Sequence, residues 1–438
     1  MQKKLTVGVI SLGCDKNRVD TEKMLGILAD QYEISSSPEN ADVIVINTCA
    51  FLESARKEAI EEILWAVGLK ALKPSLKIVV TGCLPQKFIN EIYDELFEVD
   101  AFLGISDYQT LPSVLDRVLK GERVNGVGTP KGECTKNRVL TTKNYAYLKI
   151  ADGCSNHCTY CLIPSIRGKY RSTEMDMLIS EVKSLGKVNE LILVAQDTTK
   201  YGQDLNPKTD LVELIQEISK LDTVCHIRLL YCYPENITDK LINEIKTNDK
   251  VIKYLDIPFQ HADDKVLKLM NRKGTGKGYL NLIEKLRREI PSIAIRSTFI
   301  AGFPGEDQQA FDNLLDFIHK ANLFNAGFFA FSREEGTPAY KLNGQVLART
   351  KNSRVKALYK AQKQVVKGIL SSYLGKTITV MAEGFDQNSL TYFGRAYFNA
   401  PDIDGKVYFF SDQEVEYGKY YDVKISTFTD YDLYGEKL

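Results

Sequence analysis

The sequence contains no long hydrophobic run, and this limits where the protein can reside. No apolar stretch approaches the roughly 18 residues that a membrane-spanning helix requires. Residues Met1 to Val7 lead into an apolar stretch that is too brief for a signal peptide. We therefore predict a cytoplasmic protein without a membrane partner.

A net positive charge is also missing from the sequence. Lys and Arg together number 57, as do Asp and Glu, so the chain as a whole lacks the basic character that phosphate binding favours. The balance is uneven, because residues 377–438 contain five basic and eleven acidic side chains, a net charge of −6. An acidic segment suits a Lys- and Arg-rich protein partner better than RNA, although acidic surface can also serve solubility alone.

Nine cysteines are present in the 438-residue chain, and in a cytoplasmic protein they indicate metal or redox chemistry rather than disulfides. Six of them fall into two patterned sets. The other three, Cys134, Cys225 and Cys232, follow no pattern, and we interpret them as packing residues or incidental thiols.

The first set of cysteines lies in the first 120 residues, where three apolar, β-branched runs each lead through a cysteine into a helical pattern. These cysteines are Cys14, Cys49 and Cys83, which are 35 and 34 residues apart. Apolar strands that alternate with amphipathic helices are typical of a doubly wound parallel sheet. The carboxyl ends of parallel strands open onto one edge of the sheet, where ligands bind. We therefore predict that the three thiolates converge there as a metal site.

The centre of the chain has the pattern of a second α/β unit. Residues 121–140 are rich in Gly and polar side chains and are predicted to be a linker. Helical patterns such as Leu211–Leu221 and Gln308–Ala321 then alternate with strand candidates, and a basic amphipathic helix at about Arg349–Tyr373 closes the region. Six βα units are typical of an incomplete (β/α) barrel with its chemistry at the strand C-termini. The strand candidates are 145–150, 190–195, 226–231, 253–257, 293–300 and 325–330.

The remaining residues change to short Tyr-, Phe- and Val-rich runs that Gly and Asp interrupt, at 377–382, 390–396, 406–410 and 420–425. Such runs predict a small antiparallel β-barrel. The predicted fold class is therefore α/β, with a doubly wound parallel sheet, a partial (β/α)6 barrel and a small C-terminal β-barrel. The predicted domains are residues 1–121, 140–370 and 372–438.

The second set of cysteines, Cys154, Cys158 and Cys161, forms a CxxxCxxC pattern directly after a predicted strand. A 4Fe–4S cubane has four irons, so three cysteines leave one iron without a protein ligand. That iron can chelate the amino and carboxylate groups of S-adenosylmethionine (SAM) and deliver an electron to its sulfonium bond, which yields a 5′-deoxyadenosyl radical. Zinc is the alternative, but zinc sites favour paired CxxC elements and four ligands. His157 is interpreted as a loop residue, because a fourth ligand would block the SAM site.

This cysteine motif resembles that of the radical-SAM superfamily. The resemblance implies that Tyr160 lies beside the adenine of SAM. It also implies that Gln196, in the stretch Ala195–Thr198 after the second strand, offers a polar group to the amino end of SAM. An ordinary loop side chain is the alternative interpretation of Gln196.

The chain as a whole resembles the methylthiotransferases, which combine an N-terminal cluster domain, a radical-SAM partial barrel and a C-terminal TRAM barrel. The resemblance implies that Cys14, Cys49 and Cys83 hold a second 4Fe–4S cluster, whose open iron handles the inserted sulfur. It further implies that one SAM supplies the methyl group and another the radical, with electrons from an external electron donor. The matching motifs are Ser11–Asn17, Asn47–Phe51, Thr81–Leu84, Gly153–Gly168 and Gly302–Glu306.

Two branches of this family differ in substrate. Gly13–Asn17 (Gly-Cys-Asp-Lys-Asn) and Tyr431–Glu436 resemble the RimO branch, which modifies the β-carbon of an aspartate in small-subunit ribosomal protein twelve. That branch usually has Trp where this chain has Tyr434. The tRNA-modifying MiaB branch typically has Gly-Cys-Gln-Met-Asn at the first cysteine. We therefore expect a basic ribosomal protein as substrate rather than tRNA. A third hypothesis, a two-cluster electron carrier or scaffold, is disfavoured because a carrier needs no SAM-binding barrel.

Overall fold

The computed structural model describes residues 4–131 and 138–438 of the chain. Cys134 and the middle of the predicted linker lie outside the described residues. The described residues form three consecutive units, each built on its own sheet, together with one short two-stranded ribbon.

The first unit is a parallel sheet with helices on both faces. Its strands are β1 (Thr6–Ser11), β2 (Glu33–Ser35), β3 (Val43–Thr48), β4 (Lys77–Gly82), β5 (Ala101–Leu103) and β6 (Val124–Gly126), and its helices are α1 (Asp15–Leu28), α2 (Glu53–Leu72), α3 (Cys83–Glu95) and α4 (Leu111–Leu119). The strand order is β2-β1-β3-β4-β5-β6, with every pairing parallel. All six residues of β3 are buried, as expected for a central strand covered on both faces. The predicted doubly wound sheet is confirmed.

The predicted linker is wrong at one place. Val124–Gly126 pairs in parallel with β5, so the first sheet continues beyond the predicted boundary at residue 121. A three-residue strand that contains Asn and Gly is too short to show the hydrophobic periodicity by which strands are predicted.

The second unit contains the six predicted strands as one parallel sheet. The strands of this region are β7 (Tyr145–Lys149), β8 (Ala151–Asp152), β9 (Arg171–Ser172), β10 (Val188–Val194), β11 (Val224–Leu229), β12 (Val251–Asp256), β13 (Ala294–Ala301) and β14 (Asn325–Ala330). The sheet has the order β14-β13-β12-β11-β10-β7, so β14 and β7 are its edges and the barrel stays open. β8 and β9 form the separate antiparallel ribbon.

This region also contains eight α-helices among the described residues. They are α5 (Ile163–Ile166), α6 (Met175–Ser184), α7 (Leu211–Ser219), α8 (Asp239–Thr247), α9 (Asp264–Leu269), α10 (Gly276–Glu289), α11 (Gln308–Ala321) and α12 (Ala348–Ser371). Several begin at an Asp or Thr whose side chain accepts a hydrogen bond from a backbone N–H of the first turn, as Asp210, Thr238 and Asp307 do. None of the described helices is long and apolar enough to cross a membrane.

The third unit is a closed five-stranded barrel. Its strands are β15 (Thr377–Asp386), β16 (Thr391–Arg395), β17 (Val407–Phe410), β18 (Tyr420–Phe428) and β19 (Leu433–Lys437), in the order β15-β16-β17-β19-β18. The predicted small barrel is confirmed, although β17 and β19 pair in parallel and the other pairs are antiparallel. The sequence analysis did not identify β19 as a strand.

The barrel packs against the second unit through apolar and charged contacts. Tyr147 and Ile192 of the half barrel share one hydrophobic cluster with Phe398 and Val407 of the third unit. At its edge Arg395 of β16 contacts the buried carboxylate of Glu190 at 2.9 Å. Burial by itself would raise the pKa of Glu190, but Arg228 and Arg395 lower it below its ordinary value. The third unit is therefore fixed against the half barrel by paired, buried charges.

Candidate functional site

The CxxxCxxC loop begins directly after β8 and is held by backbone contacts. Gly153 has φ +76°, and a Cβ there would lie 2.2 Å from the carbonyl oxygen of Lys169, so only glycine fits. The N–H of Cys154 donates to the carbonyl of Gly168 at 3.1 Å. Further along, the N–H of Thr159 donates to the carbonyl of Met270 at 3.1 Å. Cys154, Cys158 and Cys161 are thus presented as half-buried free thiols on one anchored loop.

The surroundings of these thiols fit iron–sulfur ligation. Burial raises the pKa of Cys161 to about 12, so without a metal this thiol stays protonated. The N–H of Ile163 donates to the sulfur of Cys161 at 3.4 Å, a contact that favours a thiolate. Backbone N–H donors to cysteine sulfurs are usual around iron–sulfur clusters, and iron replaces the thiol proton on binding.

Of the two predicted SAM-contacting residues, Tyr160 lies within this loop and Gln196 lies beside its base. The Tyr160 ring packs edge-to-face against Phe303, with ring centroids 6.4 Å apart. Gln196 follows β10, and its Nε2 donates to Asp152 Oδ1 at 3.0 Å. Its Oε1 is buried and has no hydrogen-bond partner among the described residues. A buried acceptor without a donor is costly, so a ligand N–H placed here would be stabilising.

The first set of cysteines lies at the carboxyl edge of the first sheet. Cys14 follows β1 and precedes α1, Cys49 follows β3, and Cys83 is the first residue of α3 after β4. The order of the strands reverses between β1 and β3, and such a switch point is where doubly wound sheets bind ligands. Gly13, at φ +89°, brings the chain so close that a Cβ there would lie 2.7 Å from Cys49 Cβ. The cysteines follow three different strand ends and meet at this edge.

Cys83 is the buried member of this first set. Burial raises the pKa of its thiol to about 12, and the guanidinium of Arg167 opposes this rise. The Cys83 sulfur lies 3.9 Å from Asn17 Oδ1 and 3.6 Å from Arg167 Nη2. Asn17 in turn donates from Nδ2 to the carbonyls of Leu12 and Thr48, both at 3.0 Å, and so ties α1 to the loop after β3.

Neither set has the geometry of a mononuclear metal site. Within residues 4–131 and 138–438, no group of three or more His, Cys, Asp or Glu side chains is placed to hold a single metal ion. A cubane cluster makes a different demand, because each of its cysteines binds a different iron and the sulfurs therefore surround the group. Structural zinc sites take four ligands, so a set of three cysteines suits such a cluster better than it suits zinc.

Arg167 connects the two sets of cysteines, and the sequence analysis assigned it no role. Its Nη2 contacts Cys83 and donates to Asn17 Oδ1 at 2.6 Å in the first unit. Its Nη1 donates to Asp152 Oδ2 at 2.9 Å, two residues before Cys154. One buried guanidinium therefore spans from the first set to the base of the second loop.

A network of charges surrounds Arg167. The Lys149 ammonium contacts Asp20 of α1 and lies 3.3 Å from Asp152 Oδ2, while Arg167 Nη2 lies 3.3 Å from Asp20 Oδ2. Burial alone would raise the pKa of Asp152, but Arg167 and Lys149 lower it below its ordinary value. The network pairs every charge it buries, which fixes the first two units relative to each other. A signal was present in the sequence, because Lys149 and Asp152 interrupt an otherwise apolar strand end.

A cavity of about 870 Å³ opens beside Cys14 and is lined by all three units. Its size is typical of a ligand pocket. Its lining includes Cys14, Asp15, Arg18, Tyr145, Tyr231 and Asp402. Cys14, the exposed member of the first set, is thus reachable from a pocket that could admit a substrate side chain.

Family models match all three units. Residues 6–104 match the "Uncharacterized protein family UPF0004", residues 148–318 the "Radical SAM superfamily" and residues 374–437 the "TRAM domain". The half barrel and its cysteine loop therefore define a radical SAM enzyme, whose chemistry uses an iron–sulfur cluster and SAM.

Proteins of similar sequence show which family of radical SAM enzymes the chain belongs to. The chain is 47% identical to "Ribosomal protein uS12 methylthiotransferase RimO" of Acetivibrio thermocellus, over 100% of this chain and 99% of that protein. It is 46% identical to the protein of the same name from Clostridium kluyveri, over 99% and 98% of the two chains. The chain belongs to the RimO family of methylthiotransferases and is a transferase.

Solved structures support the fold alone. The radical SAM methyltransferase TsrM from Kitasatospora setae, solved with cobalamin and a [4Fe-4S] cluster, matches with a TM-score of 0.55 at 12% identity, over 77% of each chain. The cobalamin-dependent radical enzyme OxsB matches with a TM-score of 0.51 at 13% identity, over 83% of this chain and 62% of OxsB.

Proposed function

We propose that the protein adds a methylthio group to the β-carbon of an aspartate in ribosomal protein uS12, with two 4Fe–4S clusters and two SAM molecules per turnover. The observation that carries this proposal is the pair of cysteine sets on either side of Arg167, one of them beside a cavity. A single cluster would suffice to cleave SAM, whereas a second thiol set next to a substrate pocket suits sulfur insertion.

The cysteines divide between the two clusters. Cys154, Cys158 and Cys161 would hold the cluster that binds SAM, and Cys14, Cys49 and Cys83 would hold the second. When bound, these clusters supply the electron for SAM cleavage and a place to hold sulfur. The Ile163 amide would stabilise the thiolate of Cys161 and Arg167 that of Cys83, and burial excludes water from Cys83.

Gln196 and Tyr160 would orient SAM. The Gln196 Oε1, buried without a donor among the described residues, suits the ammonium group of the SAM amino acid part. Tyr160 offers a ring within the cysteine loop, against which the adenine can pack.

The charge of the C-terminal barrel supports a protein substrate. Seven of its eleven acidic residues are exposed, whereas Arg395, one of its five basic residues, is buried. Such a surface attracts a basic ribosomal protein and repels RNA phosphates. The exposed acidic residues are Asp402, Asp412, Glu414, Glu416, Asp422, Asp430 and Glu436. A ribosomal substrate also agrees with the predicted cytoplasmic location.

Tests with the two substrates would separate this proposal from a tRNA methylthiotransferase. The reconstituted enzyme is supplied with an electron donor, SAM and a sulfur source, and is then offered either a uS12 peptide or tRNA. We expect the peptide to gain the mass of one methylthio group in place of hydrogen. A gain on tRNA with none on the peptide would overturn the substrate. No 5′-deoxyadenosine with either substrate would contradict the radical chemistry itself.

A further inference from the structure

The cavity beside Cys14 is lined by few charged side chains. Among the described residues that line it, Arg18 is the one cationic side chain, and Asp15 and Asp402 are the acidic ones. Lys16 is close in sequence, but its ammonium lies over the Tyr231 ring, 3.4 Å from the centroid, and 3.1 Å from Asp15. Arg18 is therefore the group available to an anion that enters the cavity.

Arg18 already binds a carboxylate together with a second donor. Its Nη1 donates to Asp402 Oδ2 at 3.1 Å, and the Tyr145 hydroxyl donates to the same oxygen at 3.1 Å. The guanidinium also contacts the Tyr145 hydroxyl at 3.2 Å, so both donors are aligned on one acceptor. The side chains come from three units, since Arg18 is on α1, Tyr145 begins β7 and Asp402 lies in the turn before β17.

The position of this carboxylate relative to Cys14 matters for the reaction. The N–H of Arg18 donates to the carbonyl of Cys14 at 3.0 Å, so the two residues lie one helical turn apart at the start of α1. Cys14 is the extended residue that precedes the helix, and both it and Arg18 line the same cavity. In aspartate the β-carbon is bonded directly to the carboxylate carbon. A carboxylate held by Arg18 therefore places its β-carbon within the same cavity as Cys14.

We propose that Arg18 and Tyr145 bind the side-chain carboxylate of the target aspartate, and that Asp402 occupies their place until the substrate displaces it. This assignment rests on the proposed function and adds the residues that select aspartate. Arg18 and Tyr145 are specificity-determining residues, and Asp402 is an internal competitor.

Asp402 is suited to leave. Its side chain is 56% exposed and that of Arg18 is 35% exposed, so their ion pair is partly solvated and contributes little stability. Exchange of one carboxylate for another at the same donors keeps Arg18 paired throughout.

The test measures how tightly the full-length, cluster-reconstituted enzyme binds two uS12 peptides, one with the target aspartate and one with asparagine in its place. The wild type should bind the aspartate peptide about tenfold or more tightly, because the carboxylate makes charge-assisted hydrogen bonds that the amide cannot make. Arg18→Gln should abolish this preference, and Arg18→Lys should restore part of it.

The variant Asp402→Asn distinguishes two roles of Asp402. Either the substrate displaces it, or its ion pair with Arg18 holds the units together and is needed for binding. If the substrate displaces Asp402, this variant should bind the aspartate peptide more tightly. If the ion pair is structural, Asp402→Asn and Arg18→Gln should weaken binding alike. Asp412→Asn is the matched control, because it removes the same charge from an exposed barrel position that does not line the cavity. It should not tighten binding.

Failure of the assignment and failure of the proposed function are distinguishable. If the wild type does not methylthiolate the aspartate peptide, the proposed function fails. If it does, but Arg18→Gln keeps the preference for aspartate over asparagine, the assignment is wrong. The assignment would also be wrong if Lys16→Met lost the preference for the aspartate peptide and Arg18→Gln kept it. That result would place the carboxylate at Lys16.

Discussion

The two sets of cysteines have similar surroundings but are brought together differently. Cys154, Cys158 and Cys161 lie on one loop within eight residues, whereas Cys14, Cys49 and Cys83 come from three strand ends. Each set contains one thiol whose pKa burial raises to about 12, namely Cys161 and Cys83. A local loop and a sheet edge thus create comparable environments, but only the sheet edge needs the tertiary fold to bring its cysteines together, and only its set reaches the cavity, through Cys14.

The largest effect should follow from breaking the local loop. Cys154→Ala should abolish both SAM cleavage and methylthio transfer, because in the proposed function both need the electron from a cluster on this loop. The iron content should fall from about eight to about four atoms per chain. Chromatography of 5′-deoxyadenosine and iron analysis would measure this. Cys225→Ala, which removes a half-buried thiol outside both sets, should keep both activities.

Breaking the set at the sheet edge should separate the two activities. Cys49→Ala should retain some SAM cleavage and lose methylthio transfer, because the loop of Cys154 remains intact while the proposed sulfur-handling site is broken. Mass analysis of the peptide and the 5′-deoxyadenosine yield would be compared in one reaction. Methylthio transfer at the wild-type rate in this variant would contradict the role of the first set.

The burial of individual thiols should appear in alkylation of the cluster-free protein. At pH 8, Cys83 and Cys161 should react about three orders of magnitude more slowly than ordinary thiols, because a pKa of about 12 leaves few thiolates. Their rates should keep rising up to about pH 12, whereas an ordinary thiol levels off above about pH 9. Mass spectrometry of labelled peptides would follow each site. Equal rates for Cys83 and the exposed Cys14 would contradict the burial.

Breaking the link between the two sets should change stability. Arg167→Met leaves buried Asp152 and Asp20 without their guanidinium, which should lower the free energy of unfolding by about 3–5 kcal/mol. Denaturant titration of the cluster-free protein would measure it. Arg288→Met, at a side chain that is 69% exposed, is the control and should change stability by less than about 1 kcal/mol. An equally small loss for Arg167→Met would show that the two units do not depend on this link.

Much of the fold could be predicted because its signals are local. Apolar β-branched runs of five or six residues mark β1, β3 and β4, and each has its period and its boundaries within its own segment. The short strands β6 and β19 escaped prediction, because their pairing partners and not their own residues make them strands.

The sequence by itself determined the cysteine loop, because a CxxxCxxC spacing places three thiols together whatever surrounds them. It also indicated the first set of cysteines, since parallel strands end at one edge. Only the tertiary structure decided that Arg167 lies between the sets and that Arg18, Tyr145 and Asp402 meet beside Cys14. These contacts join residues up to 384 positions apart, and no periodicity or spacing encodes such a meeting. The packing of three units against one another creates it.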